Sequence, residues 1–466
     1  MTAVFKLVFL AFMGAGVPVA IAMAAAVLLF VLLSGNAPPF VVIHRMVGGI
    51  DSFPLLAVPF FILAGNLMNV GGITTRIYNF SLALVGWLRG GLAHVNIVGS
   101  VIFAGMSGTA IADAAGLGTI EIKAMQDHGY STEFAVGVTA ASATLGPIIP
   151  PSLPFVIYAM FANVSVGQLF LAGIVPGAVM ALLMMLTVAW FARRNGWGRD
   201  TQPEWRRIVK ALAELAVVVA FPLVLWALSG TGVNMQLATA LALAALLVAD
   251  RFFRFDAVLP IMTPVLLIGG MTSGLFTATE GAIAACVWAL FLGLAWYRTL
   301  SLKTLVKACM DTVETSSTVL FIVAAASIFG WMLTATRTTE LIAQWVLTFA
   351  TEPWQFLLLA NALMLFVGCF LEPTAAITIL VPILLPIVQH LGIDPVHFGL
   401  VMVLNLMIGL LHPPMGLVLF VLARVAKLSV ERTTMAILPW LVPLLGSLAL
   451  VTFVPAISLW LPRLLS

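Results

Sequence analysis

Apolar residues fall along the chain in blocks, at about 5–33, 54–70, 78–88, 93–106, 110–125, 133–162, 168–192, 208–228, 235–249, 258–276, 281–297, 308–334, 340–350, 355–371, 374–391, 396–422 and 435–461. A helix crossing a bilayer needs roughly 20 apolar residues. Several blocks are too short to cross alone. The first, Leu7–Leu33, is longer than the roughly 7–15 residues of a signal-peptide core and predicts a single retained first helix. The main polar interruption, Arg193 to Lys210, carries six basic residues and reads as a linker between two halves.

Composition fixes the class. Of 466 residues, 62% are hydrophobic and 8% charged. An ordinary soluble domain has about 25% charged residues, so this chain lacks the polar surface for water. A soluble enzyme, a nucleic-acid binder and a disordered chain are excluded, and a bilayer is implied. There is room for about a dozen spans. The 38 glycines and 25 prolines are too many for plain straight helices. Cys286, Cys309 and Cys369 stand far apart in apolar runs with no metal-like spacing, and read as small buried residues.

The halves resemble each other. Phe103 matches Phe366, Gly105 Gly368, Gly129 Gly392, Val138 Val401, Gly146 Gly409, Pro150 Pro413 and Pro151 Pro414, all 263 residues apart. A duplication of this size is typical of transporters. If 93–125 and 355–391 are re-entrant hairpins and the 193–210 linker is cytoplasmic, 18 of the 21 Lys and Arg residues fall inside and only Arg45, Arg337 and Arg463 outside. The hairpins then open to opposite sides and the repeats are inverted.

Proline lacks an N–H and clashes with the carbonyl four residues back. Pro150 and Pro151 should therefore free the carbonyls of Gly146 and Pro147, and Pro413 and Pro414 those of Gly409 and Leu410. Such breaks at membrane depth must face protein, water or an ion, and carbonyl oxygens suit Na⁺. The competing reading is a kink that only shapes packing. The expected hairpin tips, Gly105–Thr109 and Gly368–Thr374, hold small or helix-breaking residues. The helices leaving them offer free N–H groups to a carboxylate, with hydroxyls from Ser107, Thr109 and Thr374. The alternative there is loop chemistry without ligand contact.

Three acids stand near or within apolar segments: Asp113, Glu280 and Glu372. Buried acids in membranes are often functional, which keeps a proton-coupled permease open as a second reading. Glu280, in Phe276-Thr-Ala-Thr-Glu-Gly281, also fits a helix cap. His412, at the second break, reads more simply as structural. The tip sequence GMSG fits the nucleophile pattern of an intramembrane serine protease. That reading needs a histidine base and leaves the repeat unexplained, since the second tip has no serine. No GxxxxGK[ST] sequence occurs.

The segments GMSGTAIADAAGLGTI, GPIIPPSLPFVIYA, FTATEGAIA, LEPTAAITILVPILLPI and GLLHPPMGL together resemble the large membrane subunit of TRAP (tripartite ATP-independent periplasmic) transporters, over nearly the whole chain. The resemblance implies an all-α membrane protein: an inverted-repeat, elevator-type transporter with two re-entrant hairpins and two broken helices, similar to divalent anion–sodium symporters. It implies no enzyme, but Na⁺-driven uptake of a small organic acid across the bacterial inner membrane. The implied partners are a separate four-helix membrane subunit and a periplasmic substrate-binding protein.

On this resemblance, residues 1–92 form scaffold helices of the first repeat, 93–192 the first hairpin, broken helix and following helix, 193–207 a cytoplasmic linker, 208–352 scaffold helices of the second repeat, and 353–466 the second hairpin, broken helix and last helix. One Na⁺ site is expected among Ser107, Gly108, Gly146, Pro147 and Ile149. A second is expected among Leu371, Thr374, Gly409, Leu410 and His412. Substrate would sit between them, near Ser107, Thr109, Asp113, Ser152, Glu372 and Thr374. Two or more co-bound cations would offset its charge. The substrate itself is not identified.

Overall fold

The computed structural model describes residues 2–465 apart from 36–37, 230–234, 254, 256, 274 and 413–415. Among these residues there are helices and no strand. The chain begins with α1 (Thr2–Gly14), α2 (Val19–Ser34), α3 (Phe40–Ile50), α4 (Ala57–Val70) and α5 (Ile73–Val85). It continues through α6 (Gly91–Ser107), α7 (Ala110–Ala115), α8 (Leu117–Asp127), α9 (Thr132–Ala143), α10 (Leu153–Ala162) and α11 (Val166–Arg194). The middle of the chain holds α12 (Trp205–Ser229), α13 (Met235–Phe253), α14 (Val258–Thr272), α15 (Ala278–Leu290), α16 (Leu302–Ala335) and α17 (Thr338–Leu347). The end holds α18 (Pro353–Gly368), α19 (Pro373–His390), α20 (Pro395–Gly409), α21 (Leu417–Ala426), α22 (Val430–Phe453) and α23 (Ala456–Leu465). Among the described residues, six stretches are long and apolar enough to cross a membrane: Phe53–Val70, Val166–Arg194, Ala278–Trp296, Leu302–Ala335, Pro373–His390 and Val430–Phe453.

The single helix expected over Leu7–Leu33 is two helices. Gly16 adopts φ +78°, which a side chain would resist, and Pro18 then starts α2. The apolar run hid this break because neither residue is polar. The linker is also shorter than 193–207: α11 runs on to Arg194 and α12 starts at Trp205. Nor are all three cysteines buried. Cys286 is buried and donates to the Phe60 carbonyl at 2.9 Å, Cys369 is half-buried, and Cys309 is exposed on α16.

The repeat is carried into the helix boundaries. The span from the start of α7 to the end of α8 is 110–127, and α19 is 373–390, shifted by 263 at both ends. α9 and α20 begin at 132 and 395, again 263 apart, and Gly129 and Gly392 before them both take positive φ. Beyond the breaks the shift becomes 264: α10 and α21 begin at 153 and 417, and α11 and α22 at 166 and 430. The two copies therefore differ by one residue between the breaks and the helices that follow them.

The repeats exchange parts. α10, which follows the first break, packs on α19 and α20 of the second repeat; α21, which follows the second, packs on α7, α8 and α9 of the first. Gly399 permits this, since a Cβ there would lie 2.3 Å from the Tyr158 ring of α10, and the Tyr158 hydroxyl donates to the Pro395 carbonyl at 2.7 Å. One core cluster runs through these elements. Helices α2 and α3 pack against α16, and α15 against α4.

Candidate functional site: two tips against two breaks

In the first repeat α6 and α8 run antiparallel. Asn96 Nδ2 donates to Glu121 Oε2 at 2.6 Å, and one turn further along α6 a Cβ on Gly99 would meet Leu117 at 3.2 Å. Between them Gly108 closes α6 in the left-handed region, and Thr109 caps α7 by accepting from the Ala112 N–H at 3.3 Å. The second repeat does the same with other chemistry. Glu372 lies 263 residues after Thr109, and its carboxylate accepts from the Ala375 N–H at 3.2 Å. Thr374 donates to that carboxylate at 2.8 Å. Thr109 and Glu372 are thus equivalent caps, an equivalence the sequence conceals because hydroxyl and carboxylate do the same work.

Each tip lies against the break of its own repeat. A Cβ on Gly146 would be 3.0 Å from the Thr109 carbonyl, and one on Gly108 would be 2.7 Å from the Pro151 carbonyl. The Leu153 N–H reaches the Gly108 carbonyl at 3.5 Å. In the second repeat a Cβ built on Gly409 would lie 2.7 Å from the Gly368 Cα. Gly65 of α4 lies against Ser107, and Pro264 of α14 against Gly105.

The carbonyls expected to be free are only partly so. Pro147 accepts from Ser152 Oγ at 2.5 Å, and Ser152 also caps α10 at Phe155, so its buried hydroxyl is fully engaged. Gly409 accepts from the His412 N–H at 3.0 Å in a tight turn. The backbone carbonyl of Gly146 accepts no backbone N–H among the described residues, and neither does that of Leu410. Ser107 Oγ is buried and has no hydrogen-bond partner among the described residues, histidine included. Ile149 lies against Gly177 of α11. Leu371 closes the turn before Glu372, and the Leu410 and His412 carbonyls converge on Gly416. Pro413 and Pro414, which the sequence places at the second break, lie outside the described residues.

The three acids separate. Glu280 forms a capping box with Thr277 and is exposed, so its role is the local one. Glu372 caps α19. Asp113 is 2% exposed and turned against Ser100 of α6, into the hairpin. A fourth acid escaped the sequence reading. Glu121 is 1% exposed and belongs to a buried network in which Asn96 also donates to Thr139 at 2.8 Å and accepts from Ser142 at 2.6 Å. Its neighbours Lys123 and Gln126 make Glu121 read as part of a solvated face. The available signal was Gly99, whose missing side chain makes room for the carboxylate.

This is the architecture of a duplicated, multi-pass membrane protein whose broken elements converge on one body. The chain belongs to the tripartite ATP-independent periplasmic transporter family, DctM component, whose model matches residues 7–457. It is 41% identical to the sialic acid TRAP transporter large permease protein SiaM of Vibrio cholerae, over 97% of this chain and 96% of that one. It is 33% identical to the C4-dicarboxylate TRAP transporter large permease protein DctM of Rhodobacter capsulatus, over 98% of this chain and 97% of that one. The permease protein SiaT of Haemophilus influenzae is 38% identical over 98% of this chain but 68% of its own length. The crystal structure of the Alcanivorax borkumensis YdaH transporter shares the fold, with TM-score 0.60, 16% identity, and coverage of 90% of this chain and 88% of that one. The relatives are transport permeases and not enzymes, which removes the protease reading of GMSG.

Proposed function

We propose that the chain carries a small organic acid inward across the bacterial inner membrane, coupled to Na⁺, as the membrane-spanning partner of a separate small membrane subunit and a periplasmic substrate-binding protein. The observation that carries this is the repeated contact of tip and break: Gly146 on Thr109 in one repeat, Gly409 on Gly368 in the other. Two such junctions, each combining a helix N-terminus with broken backbone, supply N–H groups for an anion and oxygens for cations. Ser107 Oγ and the Gly146 carbonyl would serve the first Na⁺, with Gly108 and Ile149 nearby. The Leu410 carbonyl, with Leu371, Thr374 and His412, would serve the second. The Pro147 and Gly409 carbonyls could contribute only through their second lone pairs. Substrate would lie between, near Ser107, Thr109 and Thr374.

An elevator motion fits this reading. The exchanged helices α10 and α21 tie both repeats' hairpins into one body, and α4, α14 and α16 would form the rail. The relatives named for sialic acid and C4-dicarboxylates support a carboxylate substrate. The test is uptake into proteoliposomes containing the chain with its small subunit and binding protein. Uptake should require an inward Na⁺ gradient, and uptake that persists without one would refute the coupling. Ser107→Ala should raise the Na⁺ concentration needed for half-maximal uptake.

A further inference from the structure

We propose that the pocket between α5 and α12 binds a glycerophospholipid with a phosphoethanolamine headgroup, at a site separate from the tips and breaks. The cavity measures about 470 Å³, within the roughly 300–1,000 Å³ of small-molecule sites. One side of it is apolar. Phe80 of α5 and Ala211 of α12 belong to a small buried cluster with Ala257, and the buried Ile208 lines the cavity with them. The other side is polar, with Thr201 and Gln202 from the 195–204 connection and four charged side chains from the start of α12.

The surface of α12 shows what the pocket adjoins. Trp205, Val209, Leu212 and Val219 are exposed and recur at helical spacing, forming one apolar stripe. In a membrane protein, lipid chains cover such a stripe. The lining residues Glu204, Ile208 and Ala211 each precede a stripe residue by one, which places them about 100° round the helix, on the next face. Trp87, which also lines the pocket, donates its indole N–H to the Leu84 carbonyl at 2.9 Å. Trp87 and Trp205 thus flank the passage from charged connection to apolar helix, as tryptophans do at a membrane–water boundary.

The charges select the headgroup. Arg207 Nε lies 2.7 Å from Glu204 Oε2, and Lys210 Nζ lies 3.8 Å from Glu214 Oε1. Glu214 is buried, and its other oxygen accepts from the Ala257 N–H at 3.0 Å, which fixes the carboxylate in place. Two cations and two acids give the lining no net charge. A phosphodiester alone would add an unbalanced negative charge beside two carboxylates, whereas a zwitterion adds none. Its phosphate accepts from Arg207 N–H groups other than Nε. Its primary ammonium donates to the Glu204 carboxylate and to the side-chain oxygens of Thr201 and Gln202. A choline headgroup lacks those N–H donors. The glycerol then rests on Phe80 and Ala211, and the chains follow the stripe along α12.

Native mass spectrometry of the full chain, purified in detergent and given equal amounts of phosphatidylethanolamine and phosphatidylglycerol, tests this without any transport assay. One phosphatidylethanolamine should be retained in preference to phosphatidylglycerol. Glu204→Gln leaves the lining one positive charge in excess and should move the bound ratio about fivefold toward phosphatidylglycerol, the worth of one partly exposed charge pair. Arg207→Gln leaves one negative charge in excess and should weaken retention of both lipids. Both side chains are exposed, so neither change threatens the fold. Arg199→Gln removes an exposed charge of the same connection that does not line the pocket, and should change neither lipid. Retention of neither lipid, equal retention of the two by the unmutated chain, a ratio unmoved by Glu204→Gln, or the same loss in Arg199→Gln as in Arg207→Gln would each overturn the proposal. Soluble phosphoethanolamine, the headgroup without chains, should not release the bound lipid. Release by it would make a soluble compound the occupant, and release on adding the small membrane subunit would assign the face to that subunit; either result overturns the lipid site.

Discussion

The two repeats share a backbone plan and differ in what they bury. The helices around the first tip enclose Asp113 and Glu121, with Asn96, Ser100 and Thr139 around them. At the positions 263 residues later stand Ala376, Leu384, Leu359, Leu363 and Met402. Gly99 faces a carboxylate, whereas its counterpart is Ala362, since no acid has to be admitted there. The second repeat has polar contacts of its own, among them Asn405, the counterpart of Ser142, which donates to Asn361 Oδ1 at 2.7 Å, while Asn361 donates to Thr452 at 3.1 Å. Duplication conserves the turns and breaks, which depend on backbone geometry. Side-chain networks are free to diverge: the first copy buries Asp113 and Glu121, while the second places its carboxylate at the tip, in Glu372.

The widest gap between the repeats should appear on removing their central amides. Asn96→Ala deletes three side-chain bonds and strands the buried Glu121 carboxylate, while Thr139 and Ser142 keep bonds to the Ala135 and Thr139 carbonyls. At about 1 kcal/mol for each bond, and more where a charged or buried partner is orphaned, the loss should reach about 3 kcal/mol or more. Asn361→Ala removes two side-chain bonds and should cost about 2 kcal/mol, and Asn405 keeps its bond to the Asn361 backbone carbonyl at 3.0 Å. Reversible unfolding in detergent measures both. Equal losses would mean that the first network is no more consequential than the second.

Next come the tip-to-break junctions. Gly409 lies Cα against Cα on Gly368, so an added methyl meets backbone at 2.7 Å, while at Gly146 the nearest atom is the Thr109 carbonyl at 3.0 Å. Overpacking a tight contact costs about 1–3 kcal/mol. Gly409→Ala should sit at the upper end of that range and Gly146→Ala at the lower, by thermal unfolding. The reverse order would show that the second junction is the more yielding one.

The helices leading to the two tips, α6 and α18, also differ in how they are anchored at their starts. The second is closed locally, with Gln355 Oε1 accepting from the Glu352 N–H at 3.1 Å. The first is held from a distance: Asp200, beyond α11, accepts from the Leu92 N–H at 2.9 Å and from the Tyr130 hydroxyl at 2.6 Å. Burial, and then Asp200, push the Tyr130 phenol well above its ordinary range. Asp200→Ala should therefore release the 195–204 connection, seen as faster proteolytic cleavage there, at a cost of about 2 kcal/mol for a charge-assisted contact. Gln355→Ala should leave that cleavage unchanged. The phenol's raised value also gives a pH signature. The unfolded chain ionises above about pH 10 while the folded chain does not, so its contribution is complete below that pH and is lost above it. Tyr130→Phe should lack this part of the alkaline loss.

Much of this plan was legible because its markers are residues with few alternatives. Glycine and proline fix turns and breaks through φ and the missing N–H, so matched Gly and Pro pairs exposed the repeat, both tips and both breaks. What stayed hidden depended on partners distant in sequence. Glu121 looks solvated in Glu121-Ile-Lys-Ala-Met-Gln and becomes a core residue only once α6 and α9 close over it. The Pro147 carbonyl looked free until Ser152 turned back upon it. The break in the first apolar run did have a local signal, Gly16-Val-Pro18, which hydrophobicity alone passes over.

The smallest effect tests the register of the duplication. Ser165 and Ser429 cap α11 and α22, accepting from the N–H groups of Gln168 and Arg432 at 3.4 and 3.3 Å. They are separated by 264 residues, not the 263 that relates the tips, so they lie beyond the point where the offset changes. Both are exposed and make the same local bond. An N-cap serine contributes about 1 kcal/mol, and Ser165→Ala and Ser429→Ala should each lose about that much in reversible unfolding. The same change at Ser152, buried at the break itself, removes a cap and the bond to Pro147 together and should cost more. If Ser165 and Ser429 differed as much from each other as either does from Ser152, the helices after the breaks would not be equivalent copies. The duplication would then be preserved only where glycine and proline enforce it.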